Sequence, residues 1–198
     1  MRKIFLAPTI LEKKNKELRY LYDPLWCRYF KNYSLNFINP LNLNTNSIKK
    51  KSLIILPGGN DPVLFSNKKI DKIRYNFDVK LIKFSIENKI SLLAICSGFQ
   101  NLALFFKGTI NQVENHIGTE HKVFIYKKNK IEIAKVNSYH KYGIKNIKAT
   151  FEYLGYDHGG FIELAAFKKH KILATMFHPE RKNRSHKIIK SIILNFKK

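Results

Sequence analysis

Three short runs in this chain hold residue types that could do chemistry together. Cys96 ends the apolar run Ser91-Leu92-Leu93-Ala94-Ile95 and is followed by Ser97-Gly98. A cysteine that leaves a buried strand and opens a helix sits on a sharp turn, where the helix N-terminus favours a thiolate. Ser97 and Gly98 are small enough for such a turn, and the N–H after the nucleophile would point into an oxyanion hole. A small buried hydrophobe is an equally good reading of Cys96 alone. The second run, His178-Pro179-Glu180, follows the apolar segment Ile172 to Phe177. Pro179 fixes the backbone, and Glu180 can return to the side of His178 and orient its imidazole, as in a nucleophile–base–acid triad. A surface histidine, with Glu180 favourable near the start of the last helix, fits the same residues. The third run, Leu56-Pro57-Gly58-Gly59-Asn60-Asp61-Pro62, puts a glycine pair just past a buried strand, where backbone N–H groups can approach a ligand. Its spacing is neither a P-loop nor a dinucleotide fingerprint, and alone it is an ordinary tight turn.

The elements that must position these residues alternate between short apolar runs and longer amphipathic stretches, the pattern of a sheet with crossover helices. Strands are expected at Lys3 to Ala7, Leu35 to Ile38, Ser52 to Leu56 and Ser91 to Ile95, the last central and parallel because it is apolar throughout. A helix is expected at Lys14 to Lys31, broken or kinked at Pro24. Ile73, Phe77, Leu81 and Phe84 mark a second helix over Ile70 to Asn88, and Gly98 to Phe106 starts a third. Short strands follow at Lys122 to Tyr126, Lys130 to Val136, Lys148 to Leu154, Phe161 to Phe167 and Ile172 to Phe177. A terminal helix over Ser185 to Phe196 would bury Ile188, Ile189, Ile192 and Ile193. No linker, repeat or low-complexity segment divides residues 1–198, so one α/β domain is expected.

The 198 residues are 44% hydrophobic, with 15 Phe and 10 Tyr, which excludes intrinsic disorder despite the charge. A chain of this length buries roughly 70% of its unfolded surface. No apolar run reaches the roughly 18–20 residues of a membrane span, and Pro8 with the charges from Glu12 onward cuts the N-terminal run too short for a signal peptide. Two cysteines, Cys27 and Cys96, make no disulfide framework and no cysteine-rich zinc site; a soluble cytoplasmic protein is expected. The net charge of +23 invites a nucleic-acid reading, but only 6 of the 37 basic residues are Arg, the residue of bidentate base and phosphate contacts. The lysines are scattered, and Lys, Asn and Ile share A/T-rich codons. No nucleic-acid partner is expected; the field would draw anionic small substrates.

Taken together, Pro57-Gly58-Gly59, Cys96-Ser97-Gly98-Phe99-Gln100 and His178-Pro179-Glu180 resemble the motifs of the class I glutamine amidotransferase-like hydrolases. Val136-Asn137-Ser138-Tyr139-His140, Tyr22-Asp23-Pro24-Leu25-Trp26 and Phe161-Ile162-Glu163 are similar to segments of the γ-glutamyl hydrolase branch. The resemblance implies a flavodoxin-like three-layer sandwich with a mostly parallel central sheet. It implies that Cys96 attacks a γ-glutamyl carbonyl, His178 moves the proton, Glu180 orients His178, and the N–H groups of Gly58, Gly59 and Ser97 hold the oxyanion. Gln100 and the backbone around Asn137, Ser138 and Tyr139 would bind the ends of the glutamyl group, with no metal or organic cofactor. The Asn-Ser-Tyr-His and Phe-His-Pro-Glu-Arg runs are similar to those of γ-glutamyl-CDP-amidate hydrolases, which implies such a substrate, in capsule phosphoramidate synthesis. A glutaminase subunit serving a synthase partner and a non-catalytic or nucleic-acid-binding protein are the competing readings; a homodimer is a possible assembly.

Departures from the family pattern are Ser97 in place of Arg or Leu, a softened helix signature at Arg74-Tyr75-Asn76-Phe77-Asp78, and an apparent insertion in Asp157-His158-Gly159-Gly160-Phe161-Ile162-Glu163. They bear on the leaving group, not on the triad. His116 and His121 resemble the histidines that follow the nucleophile helix in the family, and their spacing is no strong metal pattern. Cys27, beside Trp26, reads as packing; Asp61 and Tyr139 suit either the substrate pocket or local structure.

Overall fold

Apolar runs without polar alternation need cover on both faces, and here they lie innermost. The computed structural model describes residues 3–127, 130–149, 151–182 and 184–196. In chain order the first half holds β1 (Lys3–Leu6), β2 (Thr9–Glu12), β3 (Leu18–Leu21), α1 (Leu25–Tyr29), β4 (Ser34–Phe37), β5 (Leu53–Leu56), α2 (Lys69–Glu87), β6 (Ser91–Ile95) and α3 (Ser97–Phe105). The second half holds β7 (Thr109–Gln112), β8 (Ile117–Lys127), β9 (Lys130–Tyr139), β10 (Tyr142–Asn146), β11 (Glu152–Tyr156), β12 (Ile162–Phe167), β13 (Ile172–Thr175) and α4 (His186–Phe196).

A parallel block runs β4-β1-β5-β6-β13, and the sheet continues antiparallel through β12, β11, β8 and β9. Successive residues of each central strand face opposite layers, as the two-residue period of a strand requires. Ile54, Leu56, Leu92 and Ala94 pack with Phe77 and Leu81 of α2 and Phe99 and Leu102 of α3. Leu53, Ile55, Leu93 and Ile95 pack on the other side with Trp26 of α1 and Ile193 of α4. The result is a three-layer α/β sandwich. Its parallel strands β5, β6 and β13 all end on one edge, the place where open α/β sheets bind ligands.

The expected helix over Lys14 to Lys31 is not there. The segment instead forms the antiparallel hairpin of β2 and β3, followed by the single turn-and-a-half of α1. Leu18 and Leu21 are exposed, so their spacing marks no buried stripe. Lys16 sits at φ 66°, and Lys16 N–H donates to the Lys13 carbonyl to close the turn. Pro24, expected as a break, caps α1 with φ −64°. Cys27 is exposed on α1 rather than packed. β7 and β10 had no sequence signal: each is short, largely polar and anchored by one buried isoleucine, Ile110 or Ile144. The strand expected over Lys148 to Leu154 starts later, at Glu152. In α4, Ile193 is buried and Ile192 partly so, while the side chains of Ile188 and Ile189 lie outside the described residues.

Candidate active site

At the end of β6 the backbone turns abruptly. Cys96 has φ 49° and ψ −109°, a region that non-glycine residues rarely occupy. Its N–H donates to the Thr175 carbonyl of β13 at 2.8 Å, and its carbonyl accepts from Gln100 N–H as α3 begins. The turn can be this tight because Gly98 lies against β5: a Cβ there would stand 2.3 Å from the Leu56 carbonyl oxygen. Ser97, the first residue of α3, has an amide among those that find no partner inside the helix.

His178 follows β13 and is buried with its Nδ1 2.7 Å from Glu180 Oε1. Burial opposes charge on this imidazole, but hydrogen bonds and charge from Cys96 and Glu180 outweigh it and push its pKa up to about 9. Two covers hold the histidine. Asn137 on β9 accepts from the His178 N–H at 2.8 Å and donates to the His178 carbonyl at 2.9 Å, while also reaching the Lys182 carbonyl. Tyr139 sets its ring edge-on to the imidazole, centroids 5.6 Å apart. Behind the carboxylate lies Tyr29 of α1; burial, together with the Glu180 charge, raises its hydroxyl above its ordinary pKa.

The glycine loop closes the third side. A Cβ on Gly58 would stand 2.6 Å from His178 Cε1 and 3.3 Å from the Cys96 Cβ, so the loop backbone runs against both. Gly59 is at φ 143°, and a side chain there would strike Thr9 at 2.4 Å. The loop is tied on every side. Thr9 donates to the Gly58 carbonyl, Asn60 pairs through both amide atoms with Ile10 of β2, and Asn60 also donates to Asp71. The Pro57 carbonyl accepts from Arg74 Nη2 at 2.8 Å; Arg74 in turn pairs with Asp78, and Asp78 with Asn101 of α3, all three side chains buried.

These walls enclose a cleft of about 250 Å³. Cys96, His178, Ser97, Gly59, Gln100 and Tyr139 line it, as do Asp61, His140, Lys141 and Arg181. Gln100 Nε2 donates to the Tyr142 carbonyl at 2.7 Å, which leaves Oε1 as the acceptor. Arg181 lies over the Tyr139 ring at 4.5 Å, and Lys141 Nζ is 3.4 Å from Asp61. Gly58 backs Cys96 and His178. Asn137 and Ser138 do not line the cleft: Asn137 holds the His178 backbone, and buried Ser138 donates to the His116 carbonyl. Residues that sequence reasoning did not name as part of the site are Thr9, Asn60, His140 and Arg181. The Arg74–Asp78 pair stood in plain view at helical i, i+4 spacing, but nothing in one sequence says that such a pair turns inward.

His116 and His121 come together near His140 and Glu163. Burial opposes a charge on Glu163, but the flanking His121 and His140 outweigh it and hold its pKa at about 2. One donor atom each from His116, His140 and Glu163 lies within 4.8 Å of the others.

The class I glutamine amidotransferase family model matches residues 28–196 of this chain. The γ-glutamyl-CDP-amidate hydrolase of Campylobacter jejuni is 35% identical over 130 residues, covering 66% of this chain and 62% of that protein. The glutamine amidotransferase-like protein YvdE of Lactococcus lactis is 26% identical over 153 residues, covering 64% of this chain and 65% of that protein. The match therefore spans less than two thirds of either relative. Among solved structures, a GMP synthase subunit homologue from Thermoplasma acidophilum superposes with a TM-score of 0.75 at 17% identity, covering 100% of this chain and 92% of that one. A Thermotoga maritima glutamine amidotransferase gives a TM-score of 0.68 at 16% identity, covering 98% and 83%.

Proposed function

The chain belongs to the class I glutamine amidotransferase family, and from that premise we propose that it hydrolyses a γ-glutamyl amide in a small metabolite, releasing L-glutamate through a γ-glutamyl thioester on Cys96. One observation carries this reading: Cys96 on a strained turn shares a cleft with His178, whose imidazole is hydrogen-bonded to Glu180. The Cys96 thiolate attacks the γ-carbonyl carbon, and the oxygen takes the charge against the N–H groups of Ser97 and the Gly58-Gly59 loop. The C–N bond breaks as the His178 imidazolium gives its proton to the departing nitrogen. Neutral His178 then takes a proton from water, whose oxygen attacks the thioester carbon. The C–S bond breaks, and glutamate and the thiolate are restored. Glu180 keeps the imidazole in one orientation throughout. In this reading Gln100 Oε1 accepts from the α-ammonium, and the Tyr139 segment meets the α-carboxylate.

The leaving group is anionic in this reading. Arg181 and Lys141 stand at the cleft, and the relative from Campylobacter jejuni is named for a nucleoside-diphosphate amidate. γ-Glutamyl-CDP-amidate is accordingly the first substrate to offer. The protein acts alone in this reading, without an ammonia-receiving partner. The test is glutamate release by the isolated chain from L-glutamine, γ-glutamyl amines and peptides, and γ-glutamyl nucleotide amidates, with Cys96→Ala as control. Turnover of one conjugate, weak on glutamine and lost in Cys96→Ala, is expected. Silence across the panel with a Cys96 thiol that alkylates readily favours a partner-dependent glutaminase; an unreactive Cys96 removes the catalytic reading.

A further inference from the structure

Beside the cleft, four side chains from separate segments converge. Glu163 on β12 and His140 just after β9 are buried; His121 on β8 and His116 immediately ahead of it are nearly so. His140 Nε2 stands 3.4 Å from Glu163 Oε1, and His121 Nε2 stands 3.4 Å from Oε2. Neither approach is a hydrogen bond. Both ring nitrogens of His121, both of His140 and both carboxylate oxygens of Glu163 have no hydrogen-bond partner among the described residues. Buried polar atoms are nearly always paired, so this many orphans facing one another need a cause. Ligands of a tetrahedral zinc ion, at about 2.0–2.2 Å from the metal, lie about 3.3–3.5 Å from each other. His140 Nε2 and Glu163 Oε1 stand at that spacing, and one donor atom each from His116, His140 and Glu163 lies within 4.8 Å of the others.

His116 strengthens the case. Its Nδ1 is 2.6 Å from the Glu114 carbonyl, which can only accept, so the proton sits on Nδ1. Its Nε2 is 3.1 Å from Asp157 Oδ2. A backbone carbonyl on the far nitrogen is also the usual support of a metal-bound imidazole.

We propose that His116, His140 and Glu163 bind one divalent transition-metal ion, of the zinc class, with His121 on the second oxygen of Glu163 as its orienting partner. Two imidazoles and a carboxylate are a donor set that zinc accepts readily. The ion would tie β12 to the end of β9 and to the segment entering β8. Those elements carry Tyr139 and Asn137, and His140 itself lines the cleft, so the metal would brace one wall of the catalytic site without joining the thioester chemistry.

The experiment uses the full chain as Cys27→Ser/Cys96→Ala, which removes both thiols as competing zinc ligands. After loading with Zn²⁺ and dialysis, about one zinc per chain is expected. Titration with Co²⁺ is expected to give the intense visible bands of a four- or five-coordinate site lacking thiolate. Glu163→Gln and His140→Ala are expected to weaken binding by ~100-fold or more, and zinc is expected to raise the Tm of the parent but not of Glu163→Gln. His116→Ala, at the most exposed ligand, gives the same comparison where a buried substitution disturbs folding. No ion retained by the parent, a cobalt spectrum of the free aquo ion, or equal retention in His116→Ala and Glu163→Gln would each overturn the proposal.

Discussion

At Cys96 the chain holds a non-glycine residue in a conformation that costs on the order of 1–3 kcal/mol, and neighbouring bonds from Thr175 and Gln100 keep it there. Cys96 there lines the cleft while also packing with the core. Gly58 is equally constrained, from the outside. Gly58→Ala is expected to leave a folded protein with glutamate release reduced ~10²-fold or more, since the new methyl displaces the imidazole from Cys96. Circular dichroism and steady-state kinetics on the same sample separate the two effects. His178 has a pKa of about 9 against an ordinary 6.5, so its proton is present through neutral pH. kcat/KM is expected to fall as pH rises through about 9, when the proton for the leaving nitrogen is lost. The sign for stability is the same: the contribution of the charged imidazole is complete below 6.5 and is lost as pH passes about 9. Glu180→Gln removes one of the two partners that raise this pKa. It is expected to move the alkaline limb to lower pH and to cut kcat by ~10²–10⁴-fold; an unchanged limb would mean that Glu180 does not set the histidine.

Between elements, the site is held by buried polar bridges rather than by packing alone. Arg74 on α2 joins the Pro57 carbonyl to Asp78, and Asp78 joins α3 through Asn101, so one charged pair fixes the glycine loop against α3. Breaking such a pair from one side leaves a buried charge alone. Asp78→Ala is expected to cost about 3–5 kcal/mol in urea unfolding, with a larger loss in kcat than in KM if the freed glycine loop holds the oxyanion. The hairpin that replaces the expected first helix has the same task. β2 pairs with Asn60 and Thr9 with Gly58, which explains why that segment is extended although its leucines fall at helical intervals. On the far side, Asn137 binds the His178 backbone to β9, and the edge of the sheet thereby sets the position of His178.

Over the whole molecule, a net charge of +23 surrounds a cleft where Arg181 and Lys141 are the cations. Such a field gathers anions and is screened by salt. For a phosphate-bearing γ-glutamyl substrate, kcat/KM is expected to fall on the order of tenfold from low to high ionic strength, while a neutral γ-glutamyl amide changes little. Arg181→Ala is expected to raise KM for the anionic substrate by ~10–100-fold, the loss of one charged hydrogen bond; equal effects on both substrates would place Arg181 in the support of Tyr139 alone. None of the described helices is long and apolar enough to cross a membrane.

The central strands, α2, α3 and the order of the three motifs were legible in the sequence, because burial on both faces and strand-to-turn transitions leave local marks: unbroken apolar runs, Pro57 with its glycines, and Cys96 before Ser97-Gly98. The hairpin of β2 and β3 was not, since its partner residues lie far along the chain in the Gly58-Asn60 loop. The same reason hid the roles of Arg74, Asn137 and Arg181, whose types and spacings suit a solvated surface as well as a site. His116 and His121 made no metal pattern by themselves. Only the sheet, by pairing β8 with β9 and, through β11, bringing β12 near β8, places His140 and Glu163 beside them. Local sequence records which backbone a residue can adopt and whether it is buried; which distant groups share one point depends on strand order and register, which no single segment encodes.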